Sequence, residues 1–99
     1  MKTFKPFHSL FFTISLLFAS EIGATSPKYL ALVDSADNFI KKEQWMQAEH
    51  TIISALRLEP ANYTNSLLFS NLGVVRTEQG KYKDALEAFS LGLSIAPDS

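Results

Sequence analysis

The chain has 99 residues, room for one small domain, and 46% of them are hydrophobic, too many for an intrinsically disordered polymer. Its 9 Lys and Arg against 10 Asp and Glu leave a formal net charge of −1, which gives no electrostatic footprint for nucleic acid. The absence of cysteine excludes disulfides, thiolate metal sites and a cysteine-anchored lipid.

Residues 1–24 read as a secretory signal peptide. Lys2 and Lys5 make a short positive start, and the run Leu10–Ala19 is apolar. That run is half the roughly 20 residues needed for a membrane-spanning helix. Glu21 interrupts it, and the small residues Gly23, Ala24, Thr25 and Ser26 follow. Cleavage after Ala24 would put Ile22 three residues before the cut, an imperfect small-x-small site, and cuts after Ala19 or Ser20 stay open. The rest of the chain is then expected to be exported, periplasmic or extracellular, with no membrane span left after processing.

Beyond a short linker at 25–28, two similar units are expected, at 29–62 and 63–99. Tyr29, Leu32, Val33, Ala36, Phe39 and Ile40 recur at steps of three and four, which is one face of a helix. The polar stretch Lys41–Gln44 turns the chain. Trp45, Ala48, Ile52, Ala55 and Leu56 form a second stripe, stopped by Pro60, which cannot sit inside a helix. Ala61–Asn65 is a connecting segment that either lengthens the loop or starts the third helix with Thr64 or Asn65 as its cap. Leu68, Leu72 and Val75 make the third stripe, with Phe69 and Gly73 beside it. Glu78–Lys81 turns the chain again, Gly80 being suited to the position past a helix end. Tyr82, Ala85, Leu86, Phe89 and Leu93 form the fourth stripe, and Pro97 follows.

The two units superpose at one offset of 37 residues, which pairs Trp45 with Tyr82, Ala48 with Ala85, Ala36 with Gly73, Leu32 with Phe69, Ile52 with Phe89 and Pro60 with Pro97. A regular internal repeat implies hairpins that bury their apolar faces on one another. Small residues at Ala36, Gly73, Ala48, Ala55, Ala85 and Gly92 would let helix backbones approach. Phe39, Trp45, Phe69, Tyr82 and Phe89 would fill the remaining space.

The segment Asn71-Leu72-Gly73, Gly80-Lys81-Tyr82-x-x-Ala85, Phe89 and Pro97 resembles the tetratricopeptide repeat family, whose unit is about 34 residues. The resemblance spans residues 29–97. It departs from the family pattern at Ser35 in the first unit, and at Arg76 in the second, where an aromatic is usual. It implies an all-α fold of two antiparallel helix-turn-helix hairpins stacked as a short α-solenoid behind the signal segment. Its signature positions here are Ala36, Trp45, Ala48, Pro60, Leu72, Gly73, Tyr82, Ala85, Phe89 and Pro97.

The same resemblance implies a scaffold that binds a protein or peptide and carries no catalytic site. The chain would be the front of a longer array, the interaction module of a larger sensor or enzyme continuing past Ser99, or a small self-associating protein pairing through its last helix. Peptide-facing positions would be Leu30, Val33, Asp37, Ile40 and Lys41 on the first helix, with Leu67, Ser70, Asn71, Val74, Thr77 and Glu78 on the third. Some members grip a C-terminal carboxylate there with lysines and asparagines. Only Asn71 matches that pattern, so a carboxylate clamp is not expected.

No set of residues converges on a reaction, and no catalytic, metal or cofactor site is expected. His50, beside Glu49, reads as a solvent-facing helix residue. Asp34 and Asp37, one turn apart, lack further ligands at metal spacing and read as a solvated face. Asn62-Tyr63-Thr64 matches the N-glycosylation sequon within the connecting segment.

Overall fold

A computed structural model describes residues 25–96; residues 1–24, read from the sequence as a signal peptide, and residues 97–99, with Pro97, lie outside the described residues. Four helices follow one another: α1 (Pro27–Lys41), α2 (Trp45–Leu58), α3 (Asn65–Glu78) and α4 (Tyr82–Ile95). Each packs against its neighbour in sequence, α1 on α2, α2 on α3 and α3 on α4. The described chain is thus all-α, two hairpins in a helical repeat arrangement.

The repeat is exact to the residue at three helix ends. Lys41 and Glu78 end the first helices, Trp45 and Tyr82 open the second ones, and Leu58 and Ile95 end them, each pair 37 apart. Both hairpins turn through a left-handed residue at the same place, Glu43 at φ 58° and Gly80 at φ 78°. Glycine suits that conformation because it has no Cβ to clash with the following carbonyl, whereas Glu43 holds it at a cost.

α1 begins ahead of Tyr29. Pro27 occupies its first turn, where a missing N–H is harmless, and the Ser26 hydroxyl accepts from the Tyr29 N–H at 3.1 Å. Thr64, one of the two residues expected there, stands at the cap position of α3. It has helical backbone and no side-chain capping bond, and Asn65 lies inside the helix. Asn62 braces the turn ahead of the helix: its Oδ1 accepts from the Thr64 N–H at 2.8 Å.

The core is built from Tyr29, Ala36, Ala48, Ile52, Ala55, Leu68, Leu72, Val75 and Ala88, all buried. Leu32, Val33, Phe39, Ile40, Trp45, Leu56 and Phe69 pack around it, half-buried. Tyr82 departs from the expected core: it is 69% exposed, with Leu86 at 68% and Leu93 at 57%. Ala85, Ala88 and Gly92 are the buried residues of α4, and the half-buried Phe89 lays its ring over Gly73 of α3. Tyr82, Leu86 and Leu93 lie on the exposed side of the helix. The counterpart of Tyr82 in the first hairpin, Trp45, has α3 beyond its hairpin; among the described residues Tyr82 has no such neighbour.

Gly73 shows why the contact of α3 with α4 needs small residues. A Cβ on Gly73 would lie 2.5 Å from Cε1 of the Phe89 ring, and one on Gly92 would lie 3.1 Å from the Ser66 carbonyl oxygen.

Candidate protein-binding surface

The positions expected to face a peptide form two corresponding rows. Leu30, Val33, Asp37, Ile40 and Lys41 lie on α1, and their mates 37 residues on, Leu67, Ser70, Val74, Thr77 and Glu78, lie on α3. Leu30 is 57% exposed, Leu67 56% and Val74 43%, so an apolar residue is open to solvent in each row. Val33, Ile40 and Asn71 are half-buried, while Asp37, Lys41, Ser70, Thr77 and Glu78 are exposed. Asp37 and Lys41 neutralise one another at 3.1 Å along one helix face. The Thr77 hydroxyl donates to the Gly73 carbonyl at 2.8 Å and so is already engaged. The rows together offer scattered apolar contacts, Ser and Asn groups for hydrogen bonding, and one unpaired acidic residue at Glu78.

Two polar clusters fix how the second row sits against the first. In one, the Glu49 carboxylate on α2 accepts from Arg76 Nε at 2.9 Å, Gln79 Nε2 at 2.9 Å and Lys81 Nζ at 3.0 Å. Its side chain is only 14% exposed. Burial alone would raise its pKa, but those three donors, with the Lys81 charge, outweigh burial and hold it down to about 2. Arg76 on α3, held by Glu49 on α2, is thus part of a clasp between the hairpins.

In the other cluster, the Tyr29 hydroxyl on α1 donates to Asn65 Oδ1 on α3 at 2.6 Å, and Asn65 Nδ2 donates to the Glu59 carbonyl at 2.7 Å. Burial of the phenol, with the nearby Glu59 charge, raises the Tyr29 pKa. Asn62 Nδ2 donates to Glu59 Oε1 at 2.9 Å and to Thr25 Oγ1 at 3.2 Å. The Ser26 N–H donates to Glu59 Oε2 at 2.9 Å. Hydrogen bonds from Ser26 and Asn62 lower the Glu59 pKa. No buried side-chain polar atom among the described residues is left without a partner.

These clusters are what sequence reasoning missed. Asn65 entered the sequence reading as a candidate cap, Asn62 as part of a sequon and Glu49 only as the neighbour of His50, because a period of 3.6 marks apolar faces and says nothing about polar groups meeting across 27 to 37 positions. The one available signal was Arg76, where the resemblance noted in the sequence leads one to expect an aromatic. The sequon is affected too: Asn62 is only 6% exposed, and its amide nitrogen is occupied by Glu59 and Thr25.

His50 is exposed on α2 and borders a shallow apolar pocket of about 380 Å³ with Phe39, Met46, Gln47 and Thr51. Asp34 is exposed, like Asp37, and the described residues hold no group of three or more His, Cys, Asp or Glu placed to bind a metal ion. No described helix is long and apolar enough to cross a membrane. A larger open groove, about 500 Å³, runs between α3 and α4 past Ser66, Leu67, Ser70, Phe89, Gly92, Leu93 and Ala96.

The described chain therefore defines a solenoid-like pair of packed helical hairpins joined by two polar clasps. No protein-family model, no curated protein and no solved structure matches it.

Proposed function

We propose that this chain is an exported scaffold of tetratricopeptide type that binds a protein or peptide segment along α1 and α3. The observation that carries the reading is the paired rows on those helices. Leu30, Leu67 and Val74 stand open to solvent among Ser70, Asn71 and Thr77, on a framework whose joint is held by buried hydrogen bonds. Such a surface suits an extended peptide or one face of an amphipathic helix, with apolar side chains giving contact area and the polar groups fixing register. Export rests on the positive, apolar and small-residue order of residues 1–24. The chain itself performs no chemistry in this reading.

The test is to pan a random peptide library against the purified chain and map the selected peptides by amide chemical shifts. Shifts gathered at Asp37, Ser70, Asn71 and Val74, with binding at least tenfold weaker in Val74→Asp, support the reading. Peptides that bind elsewhere, or with undiminished affinity in the variant, overturn it. Export is checked separately by blotting fractionated source cells, where a cytoplasmic band of unprocessed length removes the signal-peptide reading and leaves the binding reading intact.

A further inference from the structure

We propose that removal of residues 1–24 makes Thr25 the first residue of the chain, and that Glu59 accepts the α-ammonium group so created. The proposal rests on the signal-peptide reading; it goes beyond it by choosing one cut and giving the new terminus a place in the fold. The covalent step is hydrolysis of the Ala24–Thr25 amide by a leader peptidase of the source cell. The oxygen of water completes the Ala24 carboxylate, and its two protons go to the Thr25 nitrogen, which becomes an ammonium.

Glu59 is a fixed carboxylate without a cation. It closes α2, is half-buried, and accepts from the Ser26 N–H at 2.9 Å and from Asn62 Nδ2 at 2.9 Å. Both donors are neutral. Among the described residues it makes no ion pair, whereas Glu49, the other carboxylate fixed between the hairpins, holds both Arg76 and Lys81. Lys28 in the first turn of α1 and Arg57 in the last turn of α2 line an open pocket with Leu32, Ser54 and Leu58 instead. Nor does Glu59 belong to the repeat. Its counterpart 37 residues on is Ala96, and that of Asn62 is Ser99, so the pair stands only where residues 25 and 26 come in.

Thr25 and Ser26 are already tied to this group. Asn62 Nδ2 donates to Thr25 Oγ1 at 3.2 Å as well as to Glu59, so one amide joins both residues. The Ser26 backbone is extended, at φ −80° and ψ 154°, and its hydroxyl caps α1. The Thr25 nitrogen lies one residue before the Ser26 nitrogen, at most about 3.6 Å from it by standard bond lengths. With the chain ahead of it gone, that nitrogen turns about the Thr25 Cα–C bond. The arc brings it into the ~4–6 Å range at which opposite charges act strongly on one another.

The charges at this end of the fold favour the same pairing. α1 has no acidic residue in its first turn and carries Lys28 there. An ammonium just ahead of it meets the positive end of the helix and is repelled unless a carboxylate neutralises it. Glu59 ends α2, where the carbonyl groups of the last turn also favour a cation. α3 brings no charged residue in its own first turn, Asn65 to Leu67. A cut after Ala19 or Ser20 would leave residues 20–24 or 21–24 ahead of Thr25, whose nitrogen is then a neutral amide, and Glu59 would keep neutral donors only. Ala24 is also the small residue that a leader peptidase needs next to its cut.

The test starts from the full chain, leader included, expressed in an exporting host, and sequences the N-terminus of the exported product. Thr25 is expected as its first residue. Reductive methylation with carbon-13 formaldehyde then labels the α-amine while keeping its charge, and NMR follows its titration. Its pKa should lie about half a unit or more above that in Glu59→Gln, a variant that keeps an oxygen to accept from Ser26. Glu49→Gln, which removes a carboxylate already held by Arg76 and Lys81, should leave the titration unmoved. The native chain unfolded in urea supplies a second reference, which the folded value should also exceed. An exported chain that begins at another residue overturns the proposal and leaves export intact. A Thr25 amine that titrates alike with and without the Glu59 carboxylate, or alike folded and unfolded, also overturns it. A product that keeps residues 1–24 overturns it together with the signal-peptide reading.

Discussion

The ring of Phe89 on α4 fills the space where a side chain on Gly73 of α3 would begin: an added Cβ would stand 2.5 to 2.6 Å from three ring atoms. Gly73→Ala should therefore destabilise the chain by about 1–3 kcal/mol, the usual cost of overpacking a close helix contact. Phe89→Leu in the same background should recover part of the loss. Urea denaturation of the two single variants and the double variant measures this coupling, and additive losses would show that the ring swings away freely.

Tyr29→Phe should cost more than the loss of an exposed hydroxyl. The phenol is fully buried, and its removal leaves Asn65 Oδ1 without its donor at a buried position. The expected loss is about 1–3 kcal/mol, read from the same denaturation curves. A change below a few tenths would mean that water reaches the joint.

Glu49 should make stability fall at low pH. Its ordinary pKa of 4.5 drops to about 2 in the fold. The folded carboxylate thus resists protonation, so its contribution is complete above pH 4.5 and is lost as pH falls toward 2. The loss is on the order of 2 kcal/mol after allowing for solvent at Lys81. Glu49→Gln should be less stable at neutral pH and should flatten this part of the stability–pH curve. An unchanged slope in the variant would assign the acid sensitivity to another group.

The two hairpin turns should respond oppositely to glycine. Glu43→Gly relieves a left-handed residue at φ 58° and should stabilise by up to about 1 kcal/mol, whereas Gly80→Ala at φ 78° should destabilise by a similar amount. Thermal melts of the pair check the prediction. No side-chain crowding complicates the second change, because a Cβ on Gly80 would meet nothing within 4 Å.

Asn62 should carry no glycan in folded protein. When the chain is produced through a glycosylating secretory route, intact mass of the soluble fraction should show the bare sequence mass. A glycan on the Asn62 nitrogen would displace the bonds to Glu59 and Thr25 and would have to be accommodated at a 6% exposed site. A glycosylated and equally stable species would disprove this.

The sequence by itself determined the helices and their order. Apolar residues at steps of three and four, the polar turns at Lys41–Gln44 and Glu78–Lys81, and the stop at Pro60 all act within a few residues, so local chemistry suffices to place them. The 37-residue offset seen in the sequence recurs at three pairs of helix ends in the structure, because similar apolar patterns and turns fold alike. Tertiary structure alone decided three things. It set which face of α4 is covered: Ala85, Ala88 and Gly92 went inward and Tyr82, Leu86 and Leu93 outward, since close approach to α3 leaves room for small side chains, and for the Phe89 ring where Gly73 makes space. It buried Asn62 of the connecting segment, which braces the turn into α3 and bonds Glu59 and Thr25. It also brought Glu49 to Arg76 and Tyr29 to Asn65, because hydrogen bonds between residues so far apart depend on how two hairpins are laid together, a relation that no periodicity along one chain encodes.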